Sequence, residues 1–188
     1  MTPINLFDYE ALAQQYMTPV IWDYFQGGSG DEITLRNNRS AFERIRLRPR
    51  VLIDISDVQV QTSVLGVPIQ MPIVVAPMSA HMLVHPEGEL ATARGSGQAG
   101  TILTVSTFST YNIEEIAAAA TGPLWLQLYL TRTIEATGSL VQRAEAAGYR
   151  AIVLTVDTPR TSRRERDMRN NFVVANVARS ANFVEAPG

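Results

Sequence analysis

Four short apolar runs each end in side chains able to hold or polarise a small polar molecule. They close on Ala76-Pro77-Met78-Ser79, on Ser106-Thr107, on Gln127-Leu128-Tyr129 and on Thr155-Val156-Asp157-Thr158. Side chains along a strand alternate between faces, so Gln127 and Tyr129 share one face, and so do Thr155 and Asp157. An amide, a phenol, hydroxyls and a carboxylate at one mouth suit a flat heterocycle with several donors and acceptors. Strand ends also turn polar simply because solvated loops begin there, and the residues alone leave both accounts open.

The elements that must position these groups follow from pattern. The runs 72–77, 101–106, 124–129 and 151–157 are near-continuously apolar, as buried strands are. Helix-like stretches at 86–99, 112–120 and 138–147 lie between them, with Gly100, Gly122 and Gly148 where helices would end. This alternation predicts a parallel sheet of βα units in the α/β class. Such a sheet is either open and doubly wound or closed into a (β/α)8 TIM barrel, whose site lies at the C-terminal strand ends. Gly95-Ser-Gly97-Gln-Ala-Gly100 spells a dinucleotide fingerprint but ends a helix instead of following a strand. It is better read as glycines packing a helix against the sheet.

Upstream, residues 1–50 form a helical lead-in. One helix is expected around Tyr9. A second is capped by Thr18 with Pro19 at its first position and ends at Gly27-Gly28, and a third runs from Asp31 to about Arg46. Residues 51–72 are β-like, a lid or barrel-bottom segment. Residues 72–160 carry the four strands with their helices, and 161–188 begin a mobile loop after the fourth.

The chain has 188 residues, a formal charge of −2 and 46% hydrophobic residues, an ordinary globular composition. It has no cysteine, which excludes disulfides and thiolate metal sites. His81 and His85 are its only histidines, so no metal site is expected. No charge run suggests a nucleic-acid partner. No apolar run approaches the roughly 20 residues of a membrane span. The N-terminus lacks a basic leader, and a cytoplasmic location is expected.

Several separated motifs then carry a resemblance. Arg48-Pro-Arg-Val-Leu52, Met71-Pro-Ile-Val-Val-Ala-Pro77, His85-Pro-Glu-Gly-Glu89, Ala91-Thr-Ala-Arg94, Gln127-Leu-Tyr129 and Leu154-Thr-Val-Asp-Thr-Pro-Arg160 occur in order. From about Tyr9 to Phe172 the chain resembles the FMN-dependent L-2-hydroxy acid oxidases and dehydrogenases, among them glycolate oxidase and lactate oxidase. The resemblance implies a (β/α)8 barrel with FMN at its mouth. It implies that Pro77, Met78 and Ser79 lie along the flavin and that Ser106, Gln127 and Thr155 hydrogen-bond its ring, with Tyr129 beside it.

The same resemblance gives substrate and catalytic roles to Tyr24, Tyr129 and Asp157, with Phe108 and Arg164 lining or steadying the substrate. Without it, Tyr24 reads as a core aromatic, Arg164 as part of a solvated basic face, and Asp157 as a turn cap. The implied reaction takes a small L-2-hydroxy acid of the lactate or glycolate class to the 2-oxo acid. Hydride passes to flavin N5, and O2 is reduced to hydrogen peroxide. A dehydrogenase or monooxygenase of the same family is the alternative.

The chain departs from the family pattern in four ways, one being Thr161-Ser162 in place of a Leu-Gly pair seen in some relatives. Phe108 stands where many plant-type members have Trp. Met78-Ser79 replaces a common Thr-Ala pair. A full barrel needs about 250 residues, so the chain is expected to be an N-terminal half. The family's catalytic histidine would then come from a C-terminal half of the same enzyme, in a homotetramer or octamer. Alone, the chain would be a non-catalytic half-barrel.

Overall fold

The computed structural model describes residues 2–131, 133–158, 160, 162–178 and 180–183. Pro159 of the last motif, Thr161 and the end of the expected loop at Gly188 lie outside the described residues. The chain forms two compact units, Met1–Val58 with Arg160–Val173, and Gln59–Pro159 with Val174–Gly188.

The first unit holds α1 (Leu6–Tyr16), α2 (Pro19–Gln26) and α3 (Ile33–Glu43). Asn5 caps α1, its side chain accepting from the Phe7 and Asp8 amides. Thr18 caps α2 with Pro19 at its first position, as the sequence predicts. Helix α3 starts two residues late and stops before Arg46, because Glu32 takes a left-handed conformation at φ 58° and serves as the N-cap.

The second unit opens with the antiparallel hairpin β1 (Thr62–Val64) and β2 (Val67–Ile69). Then come α4 (Gly88–Gln98), β3 (Leu103–Val105), α5 (Ile113–Ala119), β4 (Leu124–Leu128), α6 (Ile134–Ala146) and β5 (Ile152–Leu154). Strands β3, β4 and β5 form a parallel sheet in that order. The run 72–77, expected as a full strand, is reduced to a single parallel bridge from Val75 to Leu103. The Val75 amide donates to Ile102 and its carbonyl accepts from Thr104. Pro72 and Pro77 bracket this run without amide donors, so the ladder cannot extend to its ends.

Alternation along the strands builds two cores. Leu103, Val105, Leu124, Leu126 and Leu128 face the helices and pack with Ile113, Ile116, Leu140 and Ala144. On the opposite face Ile102 and Trp125 pack on Val67 and Ile69, so the hairpin covers the lower end of that face. Its upper end is left to polar groups. Gly97 and Gly122 let α4 approach the start of β4: a Cβ on Gly122 would stand 2.6 Å from the Gly97 Cα. That contact fits the packing role expected of the glycine run. Helix α6 begins four residues earlier than expected, because Thr133 caps it and Gly138 lies within it.

Beyond β5 the segment expected as a loop contains α7 (Glu165–Arg169), in the first unit, and α8 (Val174–Val177) in the second. Among the described residues no strand pairs with the outer edge of β5, and Ile152, Val153 and Leu154 are 41%, 36% and 47% exposed. Among them, too, no helix is long and apolar enough to cross a membrane. Among the described residues no cluster of His, Asp or Glu is placed to hold a metal ion.

Candidate functional site

The register fixes which side chains meet. Leu126 pairs with both Val105 and Ile152, so Ser106, Gln127 and Tyr129 on the hairpin-covered face stand level with or next to Thr155. Gln127 is 3% exposed and lies at the centre. Its Oε1 accepts from the Thr107 amide at 3.2 Å and from the Ser106 hydroxyl at 3.5 Å. Its Nε2 donates to the Thr155 hydroxyl at 2.8 Å. Thr107, fully buried, clamps β4 from the side: its hydroxyl donates to the Gln127 carbonyl at 2.6 Å and accepts from the Tyr129 amide at 3.1 Å.

Pro77, Ser79, Ser106, Phe108, Gln127, Tyr129 and Thr155 line one cavity of about 240 Å3. The Phe108 and Tyr129 rings stack in its wall, with centroids 5.5 Å apart and planes inclined by 29°. Met78 lies in the same loop, 49% exposed, but is not part of the cavity wall. Asp157 is exposed and also outside that wall.

Tyr24 and Arg164 belong to the first unit. The Arg164 guanidinium lies 5.3 Å from the centre of the Tyr24 ring and donates to the Tyr24 carbonyl. It also pairs with Asp167 at 2.7 Å. The Tyr24 ring packs on Phe25 and Phe172. The guanidinium is thus held in place by its own unit.

Two residues that sequence reasoning passed over brace the strand-end loops. Glu89, 2% exposed in the first turn of α4, accepts from the His81 amide, the Thr110 amide and the Thr110 hydroxyl. It ties the loop after Val75 to the loop after β3. Asn182 is 5% exposed; its amide donates to the Thr107 carbonyl and the Ser109 hydroxyl, each at 3.0 Å, and its carbonyl oxygen accepts from the Ile113 amide. The His85-Pro-Glu-Gly-Glu89 motif was a signal for Glu89. Asn182 had none, because its partners lie about seventy residues away.

His81 is buried against Thr92, with Nδ1 3.1 Å from that hydroxyl, while its Nε2 has no partner among the described residues. Burial pushes its pKa below the usual 6.5, against the opposing pull of the Glu89 charge and a Met78 backbone hydrogen bond. The folded chain therefore refuses a proton that the unfolded chain takes. Stability is complete above about pH 6.5 and falls as the pH drops below it toward the folded pKa. A His81→Gln variant is expected to lose less stability than the parent between about pH 6.5 and 5. Urea unfolding midpoints across that window measure this, and parallel pH profiles would contradict it.

Similar proteins frame this geometry. The chain is 48% identical to an L-lactate oxidase of Nostoc sp., matching 100% of this chain and 52% of that protein. It is 50% identical to glycolate oxidase 3 of Oryza sativa subsp. indica, over 89% of this chain and 46% of the relative. The solved structure of mandelate oxidase with (S)-2-phenylpropionate superposes with a TM-score of 0.92 at 44% identity, covering 100% of this chain and 56% of that one. A mandelate oxidase mutant with the C4a-OH-FMN adduct gives 0.89 at 44% identity, over 96% of this chain and 55% of that one. The chain thus spans about half the length of the relatives it matches, and it supplies part of their (β/α)8 barrel. Residues 13–188 match the family of FMN-dependent dehydrogenases, and the chain belongs to that family.

Proposed function

We propose that this chain forms the flavin-facing part of an FMN-dependent oxidase of small L-2-hydroxy acids. The supporting observation is one cavity walled by side chains from the ends of β3, β4 and β5 and from the loop after the Val75 bridge. Its donor set fits an isoalloxazine. Ser106, Gln127 and Thr155 offer hydroxyl and amide groups with hydrogen-bonding capacity left over, and an aromatic pair stands beside them. Ala80, directly after Ser79 of the wall, holds a left-handed φ of 63°, a strain that ligand-clamping loops tolerate.

FMN, when bound, supplies the redox chemistry by accepting hydride from the substrate carbon. The chain's own residues bind and orient. Ser106, Gln127 and Thr155 would hold the ring, with the backbone of Pro77, Met78 and Ser79 contributing to its binding. The Tyr129 phenol hydrogen-bonds the substrate hydroxyl, with Phe108 beside it. The family resemblance assigns Tyr24 and Arg164 to binding of the carboxylate. Asp157 steadies the protonated form of a histidine base, since a nearby carboxylate favours an imidazolium. Neither His81 nor His85 borders the cavity. We assign the base to a segment equivalent to the second half of the relatives, and the edge of β5, unpaired among the described residues, favours the same completion.

The first test is titration of FMN with the folded chain, followed by quenching of flavin fluorescence. Saturable quenching is expected. Its absence, with native circular dichroism intact, would overturn the flavin assignment. The second test adds the C-terminal half of the Nostoc relative, mixes anaerobically with an L-2-hydroxy acid, then admits air. Bleaching followed by fast colour recovery with hydrogen peroxide release marks an oxidase. Bleaching with slow recovery marks a dehydrogenase, and no bleaching rejects the activity.

A further inference from the structure

A second, larger cavity adjoins the first. It measures about 610 Å3 and shares Ser79 and Phe108 as walls with the strand-end cavity. Its remaining walls are Ala80 from the loop after Val75 and Val174, Ala175, Ala178 and Phe183 from the segment around α8. Ser180 completes it, but that hydroxyl is engaged, donating to the Thr107 carbonyl at 3.0 Å and accepting from the Asn182 amide. Among the described residues no charged side chain contributes to the wall. The described wall is therefore largely apolar.

Two features make it a built site instead of a chance gap. The Phe108 ring is shared between the cavities: it stacks on Tyr129 on one side and stands 6.2 Å from the Phe183 ring on the other. The far wall is also anchored. Asn182, buried next to Phe183, bonds the Thr107 carbonyl, the Ser109 hydroxyl and the Ile113 amide, and the Ala181 amide donates to the Ser109 carbonyl. Arg143 holds the Asn182 carbonyl and is itself fixed by Glu114. A wall held this way is ordered before a ligand arrives, so binding does not bear the cost of ordering it.

We infer that the acid handled at this site carries a bulky apolar side chain, aromatic or branched, which this chamber receives, and that Asn182 positions the chamber's far wall. The inference rests on the flavin-site proposal above. An acid whose hydroxyl is held by Tyr129 presents its side chain toward the shared Phe108 wall. The hydrogen of glycolate or the methyl of lactate leaves such a chamber empty. Each methylene moved from water into an apolar wall raises affinity about fourfold. A phenyl or isobutyl group is therefore favoured over methyl by about tenfold or more.

The test uses the full chain with and without FMN. Three 2-oxo acids that differ only in side chain serve as probes: phenylglyoxylate, 4-methyl-2-oxopentanoate and pyruvate. Saturation-transfer NMR and competition among them give relative affinities without turnover. Phenylglyoxylate and 4-methyl-2-oxopentanoate are expected to bind about tenfold or more tighter than pyruvate, with saturation strongest on side-chain protons. Ala178→Phe fills the chamber and is expected to abolish that preference. Asn182→Ala is expected to shrink the phenylglyoxylate-to-pyruvate ratio, which a change in overall stability would not move. Equal or tighter pyruvate binding, or an order untouched by Ala178→Phe, overturns the inference. If FMN fails to bind while phenylglyoxylate still outcompetes pyruvate, the flavin proposal falls and the chamber stands. If FMN binds and pyruvate wins, the chamber falls and the flavin proposal stands. If no probe binds under either condition, the chamber is rejected.

Discussion

A Gln127→Leu variant is expected to bind FMN about tenfold to a hundredfold more weakly and to lose about 1–3 kcal/mol of stability. Leucine matches the shape of glutamine but removes one acceptor and one amide donor from a site that is 3% exposed. The neighbours do not suffer equally. The Ser106 and Thr155 hydroxyls rotate and find other partners. The Thr107 amide cannot, because it lies in fully buried backbone and Gln127 Oε1 is its acceptor. The stability loss therefore follows from one stranded amide. The affinity loss follows from the missing side chain that faces the ring.

The two effects separate experimentally. Gln127→Glu restores the acceptor for Thr107 but not the amide donor for Thr155. It is expected to recover some stability only where the carboxyl is neutral, and to leave flavin affinity low. Flavin fluorescence titration together with urea unfolding reads both. An unchanged flavin affinity in Gln127→Leu would place the ring away from the strand ends.

Much of this site was legible because it depends on local periodicity. Period-two alternation alone put Gln127 and Tyr129 on one face, and both border the same cavity. Thr18-Pro19 marked the start of α2, and Asn112 with Glu115 forms a capping box at α5. The strands are shorter than the apolar runs that announced them. The runs 101–106 and 151–157 yield β3 at Leu103–Val105 and β5 at Ile152–Leu154, since hydropathy records burial and a ladder also needs a partner in register.

Alternation failed to bring in Asp157. It lies three residues past the last residue of β5, where the backbone is no longer held in the pleat. The helices beyond it were hidden too, because α7 has five residues and α8 four, too few to display a hydrophobic period. What pattern cannot reveal is a partner far away in sequence. Asn182 looks like any loop asparagine until Thr107, Ser109 and Ile113 close around it.

Glu89 poses the same problem in a more consequential place, and its replacement is expected to be the most damaging single change in the second unit. Glu89→Ala should cost about 3–5 kcal/mol, because it strands buried donors on two loops at once. The carboxyl is 2% exposed and receives the Thr110 hydroxyl at 2.6 Å, the Thr110 amide at 2.9 Å and the His81 amide at 3.3 Å. Its place in the first turn of α4 adds the favourable field of the helix N-terminus.

Glu89→Gln separates hydrogen bonding from charge. One amide oxygen still accepts both backbone amides, and the Thr110 hydroxyl turns to accept from the new NH2, so the loss should be about 1–2 kcal/mol. The braced loops carry Ala80, at 63°, and Phe108, which the two cavities share. Glu89→Ala should therefore weaken flavin binding as well as lower the urea midpoint, while Glu89→Gln retains most of both. Equal losses in the two variants would mean that charge, not the three hydrogen bonds, is what the loops require. A Glu89→Ala protein as stable as the parent would mean that the strand ends hold their shape without this brace.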